Sequence, residues 1–136
     1  MIEVKNLTTK PVKEKFIIKI IDKVLKGEKR KEENLSIALV GQGRIRDLNK
    51  RYRGKNRATD ILAFGQEQKL IEPFLGELVI CLREVKKNAE TFRTTFEKEL
   101  TKVLIHGTLH LLGYDHEKSE KEAKEMEEKE NYYLAF

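Results

Sequence analysis

Apolar residues recur every three or four positions through residues 12–25, where Val12, Phe16, Ile17, Ile20, Ile21, Val24 and Leu25 form one stripe. That spacing marks one face of an α-helix. Pro11 suits its first turn, and Gly27 ends it. Other stretches follow a different period. Residues 1–5 alternate, with Ile2 and Val4 against Met1, Glu3 and Lys5, and read as a short strand. Residues 35–40, LSIALV, are nearly continuously apolar, as a buried strand is. A GQG turn at 41–43 leads to a short helix over 44–52, with Ile45, Leu48 and Tyr52 on one face. Residues 61–64 and 75–82 read as two more strands, the ELVIC run being apolar enough for a central position, and 65–73 as the loop between them. Val85, Ala89 and Phe92 suit one helix, and Phe96, Leu100, Val103 and Leu104 suit a second that runs on to Leu112. A break near Thr94 and Thr95 would separate them. From Ser119 the tail is helical, with Glu120/Lys124 and Glu125/Lys129 at the favourable spacing for ion pairs. Four strands mixed with helices predict an α+β domain, a mixed sheet packed with helices. A hairpin between the last two strands fits that pattern.

Length and composition add bounds. The 136 residues are enough for one domain, 1–136, with a real core. No apolar run nears the roughly 20 residues a membrane span needs, and no secretory leader is visible at the start. One cysteine, Cys81, cannot form an intramolecular disulfide. These features predict a cytoplasmic protein without a membrane partner. The high Lys and Glu content also resembles that of thermophile proteins. Residues 117–130 hold seven Glu against four Lys, so the rest of the chain carries +8 of an overall +5. A basic body fits a polyanionic partner such as nucleic acid; a solvated, highly charged surface is the plainer explanation.

The histidines change that balance. All three fall in residues 106–116, HGTLHLLGYDH. His106 and His110 are one helical turn apart, on one face. Gly113 tolerates the left-handed backbone that closes many helices, so the chain can bring His116 back to them. Random placement gives this spacing on the order of a few times in ten thousand. Three histidines with an open fourth position suit a catalytic zinc ion, one per chain. The spacing equals that of metzincin proteases, which carry a Glu general base directly after the first histidine. Here that position is Gly107, which has no side chain to take a proton. Asp115 is the acid nearest in sequence. It could orient a histidine or act as a base, although a turn role after Gly113 is commoner for Asp.

A second constellation lies upstream. Lys50, Arg51, Arg53, Lys55 and Arg57 place five cations in eight residues just before a strand. Charge runs are usually solvated loops. Beside a catalytic metal, the same run is suited to hold phosphates, since the guanidinium fork matches phosphate oxygens.

Taken together, HGTLHLLGYDH, LNKRYRGKNRATDILAF at 48–64 and LGELVIC at 75–81 resemble the three signature blocks of the YbeY-type endoribonucleases, the bacterial rRNA maturation factors. The resemblance runs from about residue 35 onward. It implies a zincin-like metal site and a zinc-dependent endoribonuclease acting on single-stranded RNA. It further implies a role in 16S rRNA 3′-end maturation and ribosome quality control, with the small ribosomal subunit or its assembly factors as partners. Residue by residue, the zinc ligands fall on His106, His110 and His116, and the functional arginine on Arg53. The chain departs from the family at Ala58, usually Pro, at Ala63-Phe64-Gly65, usually Ser-Phe-Pro, and at Glu77, usually Asp. None is a ligand. Two alternatives share these residues: a three-histidine metalloprotease, and a non-catalytic zinc-containing RNA-binding or ribosome-assembly module.

Overall fold

A computed structural model describes residues 1–65 and 74–135. In chain order the elements are β1 (Ile2–Asn6), α1 (Glu14–Gly27), β2 (Asn34–Leu39), α2 (Gln42–Arg53), β3 (Ile61–Gly65), β4 (Phe74–Ile80), α3 (Leu82–Thr91), α4 (Phe96–Leu111) and α5 (Glu120–Leu134). The sheet order is β1-β2-β4-β3. β1, β2 and β4 run parallel, and β3 pairs antiparallel with β4 at the edge. The expected mixed four-stranded sheet is therefore present, with the ELVIC run in its centre.

Strand alternation divides the core in two. Leu35, Ile37, Leu39, Leu78 and Ile80 point to one face, where they pack with α1, α4 and parts of α3 and α5. Ala38, Val40, Val79 and Cys81 point to the other, which α2 covers through Ile45 and Leu48. α4 is the central helix. Leu100, Val103, Leu104, Ile105 and Leu109 are all buried along it, and burying each such side chain contributes about 1.5–3 kcal/mol.

The approach of α4 to the sheet depends on two glycines. A Cβ on Gly107 would stand 2.5 Å from Ile61 Cδ1 and 3.0 Å from Leu78 Cδ2. On β4, Gly76 has φ +148°, and a Cβ there would meet Phe64 O at 2.3 Å and Leu111 Cδ2 at 3.0 Å. Gly76 lies where the β2–β4 register shifts by one residue, a bulge of the kind that needs a small side chain.

Several boundaries differ from expectation. Pro11 precedes α1 rather than opening it; Gly27 is the last residue of α1, as expected, and Lys29, at φ +60°, takes the left-handed position beyond it. α2 begins inside the GQG segment, at Gln42, capped by Gly41. Gly65 belongs to β3, and the rest of the expected loop, 66–73, lies outside the described residues. Cys81 and Leu82 leave β4 to start α3. Phe92 caps α3 and is 64% exposed, off the expected core face. The break between α3 and α4 is real: Arg93 has φ +54°, and Thr95 caps α4 by accepting from Lys98 N–H. Ser119 likewise caps α5. Lys129 pairs with Glu28 at 3.2 Å rather than with Glu125, and Glu120 and Lys124 form no ion pair among the described residues. Among the described residues no helix is long and apolar enough to cross a membrane.

Candidate metal centre

α4 carries His106 and His110 on the face next to the one that meets the sheet. Beyond Leu111 the helix closes in a Schellman turn. Gly113 N–H donates to His110 O and Tyr114 N–H to Leu109 O, with Gly113 at φ +104°. This turn reverses the chain and returns His116 to the other two histidines. The ring centroids stand 5.7 Å apart for His106–His110, 5.4 Å for His106–His116 and 5.8 Å for His110–His116.

That triangle has the size a metal demands. A metal–nitrogen bond of about 2.1 Å, plus about 1.1 Å to the ring centre, puts each centroid roughly 3.2 Å from the ion. Three such rings at tetrahedral angles then stand about 5.2 Å apart, close to the spacings found. The nitrogens are prepared as well. His110 Nδ1 lies 2.8 Å from Tyr114 O, a carbonyl that can only accept, so the proton is on Nδ1. His106 Nδ1 lies 2.9 Å from Glu130 Oε1 on α5. Each bond leaves the Nε2 lone pair as the free ligand, the usual outer support of metal-binding imidazoles.

Asp115 stands at the same turn. Donor atoms of His110, Asp115 and His116 lie within 4.8 Å of one another. This tighter grouping takes in Asp115 and omits His106. Asp115 Oδ1 also accepts Glu117 N–H at 2.9 Å in a turn. The chemistry of these donors, imidazole nitrogens with one carboxylate beside them, fits a transition-metal ion. Gly107 faces Ile61 and Leu78 rather than the histidines, so this position holds the helix to the sheet.

Glu28 ties the surrounding elements together. It follows α1, and its side chain is only 10% exposed. Tyr114 Oη donates to Oε1 at 2.6 Å, and both Tyr133 Oη and Lys129 Nζ donate to Oε2. Burial alone would raise the carboxyl, but these three donors outweigh it and hold its pKa below the ordinary Glu value. Burial and the Glu28 charge push Tyr114 up to about 12, and push Tyr133 upward as well.

The five cations are placed elsewhere. Lys50, Arg51 and Arg53 end α2, and Lys55 and Arg57 follow it; all five are exposed. Among the described residues no carboxylate is within ion-pair distance of any of them. Arg53 Nη2 donates to Ala63 O on β3 at 2.8 Å, and its guanidinium lies 5.3 Å from the Phe64 ring centre. Phe64 is on the α2 side of the sheet and Ile61 on the α4 side. Arg53 thus meets β3 beside Phe64, whereas α4, the helix of His106 and His110, packs on the other face of the sheet, and no hydrogen bond or ring contact joins Arg53 to the histidines among the described residues. Glu130 and Glu28 carried no signal in the sequence. Each is one Glu in a Lys/Glu-rich stretch, and only the fold brings it to a histidine or a tyrosine.

A mixed four-stranded sheet beneath a helix whose C-terminal turn gathers three histidines defines an α+β protein with a zincin-like metal site. Comparison with known proteins narrows this further. Residues 3–136 match the family described as Endoribonuclease YbeY, and the chain belongs to that family. An endoribonuclease YbeY of Thermotoga neapolitana is 46% identical over 101 residues, 74% of this chain and 65% of that protein. One from Petrotoga mobilis is 39% identical over 97% of this chain and 87% of its own length. The solution structure of TM1509 from Thermotoga maritima superposes with a TM-score of 0.68 at 35% identity, covering 98% of this chain and 87% of that one.

Proposed function

We propose that this chain is a metal-dependent endoribonuclease acting on single-stranded RNA, with zinc held by His106, His110 and His116. The observation that carries this reading is the imidazole triangle, at metal-binding size with the outer nitrogens of His106 and His110 already bonded, in a chain of a family named for endoribonuclease activity. When bound, zinc supplies a Lewis acid that polarises a phosphoryl oxygen and acidifies a water. The protein's own residues supply the rest. Glu130 and the Tyr114 carbonyl fix the two helix histidines, and the turn at Gly113 delivers the third. Asp115, at the rim, either orients a histidine or takes the proton of the attacking hydroxyl as its oxygen bonds to phosphorus; the bond from phosphorus to the leaving ribose oxygen then breaks, and that oxygen takes a proton from solvent. Arg53 keeps further N–H donors beyond the two given to Ala63 O and Tyr52 O, and offers them with its charge to the phosphate. Lys50, Arg51, Lys55 and Arg57 attract the backbone.

The resemblance extends the proposal to 16S rRNA 3′-end maturation and ribosome quality control in the cytoplasm. The small ribosomal subunit or its assembly factors then present the substrate to one domain, 1–136. A protease reading is disfavoured because Gly107 cannot take the proton and its place is filled by Ile61 and Leu78. The deciding experiment measures bound metal by elemental analysis. It then incubates wild type, His110→Ala and Arg53→Ala with single-stranded RNA, duplex RNA and casein. Metal-dependent cutting of single-stranded RNA, lost in His110→Ala and lowered in Arg53→Ala, is expected. Cutting that survives His110→Ala sinks the metal mechanism. Casein cleavage restores the protease, and bound zinc with neither activity favours a binding module.

A further inference from the structure

Tyr52 is an aromatic ring left in the open. It sits near the end of α2, 55% exposed, although the sequence pattern put it on the helix face with Ile45 and Leu48. Yet the ring is not loose. It packs edge-on against Phe64, with centroids 5.3 Å apart and planes at 72°. The Arg53 guanidinium lies over the same Phe64 ring and is fixed in turn by Ala63 O. Edge strand β3 therefore holds Tyr52, Phe64 and Arg53 as one surface. The last turn of α2 and the loop after it also carry Lys50, Arg51, Lys55 and Arg57, exposed and without a carboxylate partner among the described residues.

An open ring inside an unneutralised cationic patch fits a ligand that alternates negative charge with flat π-surfaces. A helix of another protein needs an apolar stripe, and Leu48 and Phe64 beside Tyr52 are largely covered. An isolated phosphate would use the cations and ignore the ring. A duplex hides the faces of its bases. A single strand presents both groups, and a base stacks on an aromatic ring whatever its sequence.

We propose that Tyr52 is a base-stacking residue: a nucleobase of single-stranded RNA lies on its ring while the neighbouring cations hold the flanking phosphates. The inference rests on the endoribonuclease reading and adds to it a docking point beside Phe64 at the end of α2. The test is anisotropy of a short labelled 2′-O-methyl RNA, which keeps bases and phosphates and resists cleavage, on the metal-loaded protein. Tyr52→Ala should weaken binding about 5- to 100-fold, and Tyr52→Phe should restore it. An oligomer with abasic sugars should bind wild type and Tyr52→Ala equally. If Tyr52→Ala does not fold, Tyr52→Leu, which keeps the packing on Phe64 without a stacking face, replaces it with the same expectation. Equal affinity of wild type and the folded variant for the base-bearing RNA overturns the inference, as does a variant effect that persists on the abasic chain. If wild type still cleaves RNA in those cases, the endoribonuclease reading stands without this platform. If wild type neither binds nor cuts RNA, both fall together.

Discussion

At His106 one ring nitrogen must be spent so that the other can bind. Glu130 takes Nδ1 at 2.9 Å, which fixes the tautomer and the ring's orientation. Glu130→Gln keeps the shape but removes the charge, and should weaken metal affinity about 10- to 100-fold, read by competition with a chromophoric chelator. Unchanged affinity would mean that the α4 backbone alone orients the ring. Gly107 acts by size. Gly107→Val must fit a branched side chain where even a Cβ stands 2.5 Å from Ile61 Cδ1. Such overpacking costs about 1–3 kcal/mol, to be read as a lower denaturant midpoint; a midpoint at or above wild type would refute the close approach. These residues also show what a sequence can display. Histidines at 106, 110 and 116 stand out because few residue types bind a transition metal and spacing limits which can converge. Glu130 is invisible because its neighbours on α5 are also Glu, and only the packing of α5 on α4 selects it.

At the level of elements, three separate pieces of chain meet at Glu28. α1 ends beside it, Tyr114 comes from the turn that delivers His116, and Tyr133 and Lys129 come from α5. The periodic helices and strands were legible because each buries one face. The pairing of Lys129 was not, because local spacing favoured Glu125 while the fold offers a buried carboxylate with two tyrosine donors. Phe92 was misplaced for a related reason: the helical period continues through it, but α3 stops there and its side chain turns outward. The hub has a pH signature. Glu28 is held below its ordinary value, so as the pH falls below about 4.3 the unfolded chain binds the proton first. Stability present above that pH is lost as the pH approaches the folded value. The tyrosines work in the opposite direction. Tyr114 is raised to about 12, so the unfolded chain releases its proton from about pH 10 while the folded one holds it. Stability present below pH 10 then declines toward 12. Thermal denaturation of wild type should fall more steeply on the acid side than that of Glu28→Gln. Parallel acid limbs would show that the hub carries no charge-dependent stability.

On the scale of the whole molecule, charge is divided between two parts of the chain. Residues 117–130 are net negative, and α5 spends part of that charge inward, on His106 through Glu130. The positive excess lies in the remainder, where five cations around the end of α2 are exposed and have no carboxylate within ion-pair distance among the described residues. The sequence revealed both sets, but not that Arg53 is held on edge strand β3, through Ala63 O and the Phe64 ring. On the proposed function, a single strand bound at the end of α2 brings its phosphates within reach of Arg53. Counterion release then sets the salt dependence. Each phosphate neutralised on single-stranded RNA contributes about −0.7 to the slope of log affinity against log salt. Engagement of all five cations gives a slope near −3.5, a loss of roughly 100-fold between 50 and 200 mM salt. Arg53→Ala should make the slope shallower by about 0.7, and Lys50→Ala by the same amount, because each removes one phosphate contact. Binding titrations at several salt concentrations with single-stranded RNA measure this directly. A slope near zero, or one unmoved by both variants, would remove this surface from the RNA path and leave the histidine turn to recognise its substrate alone.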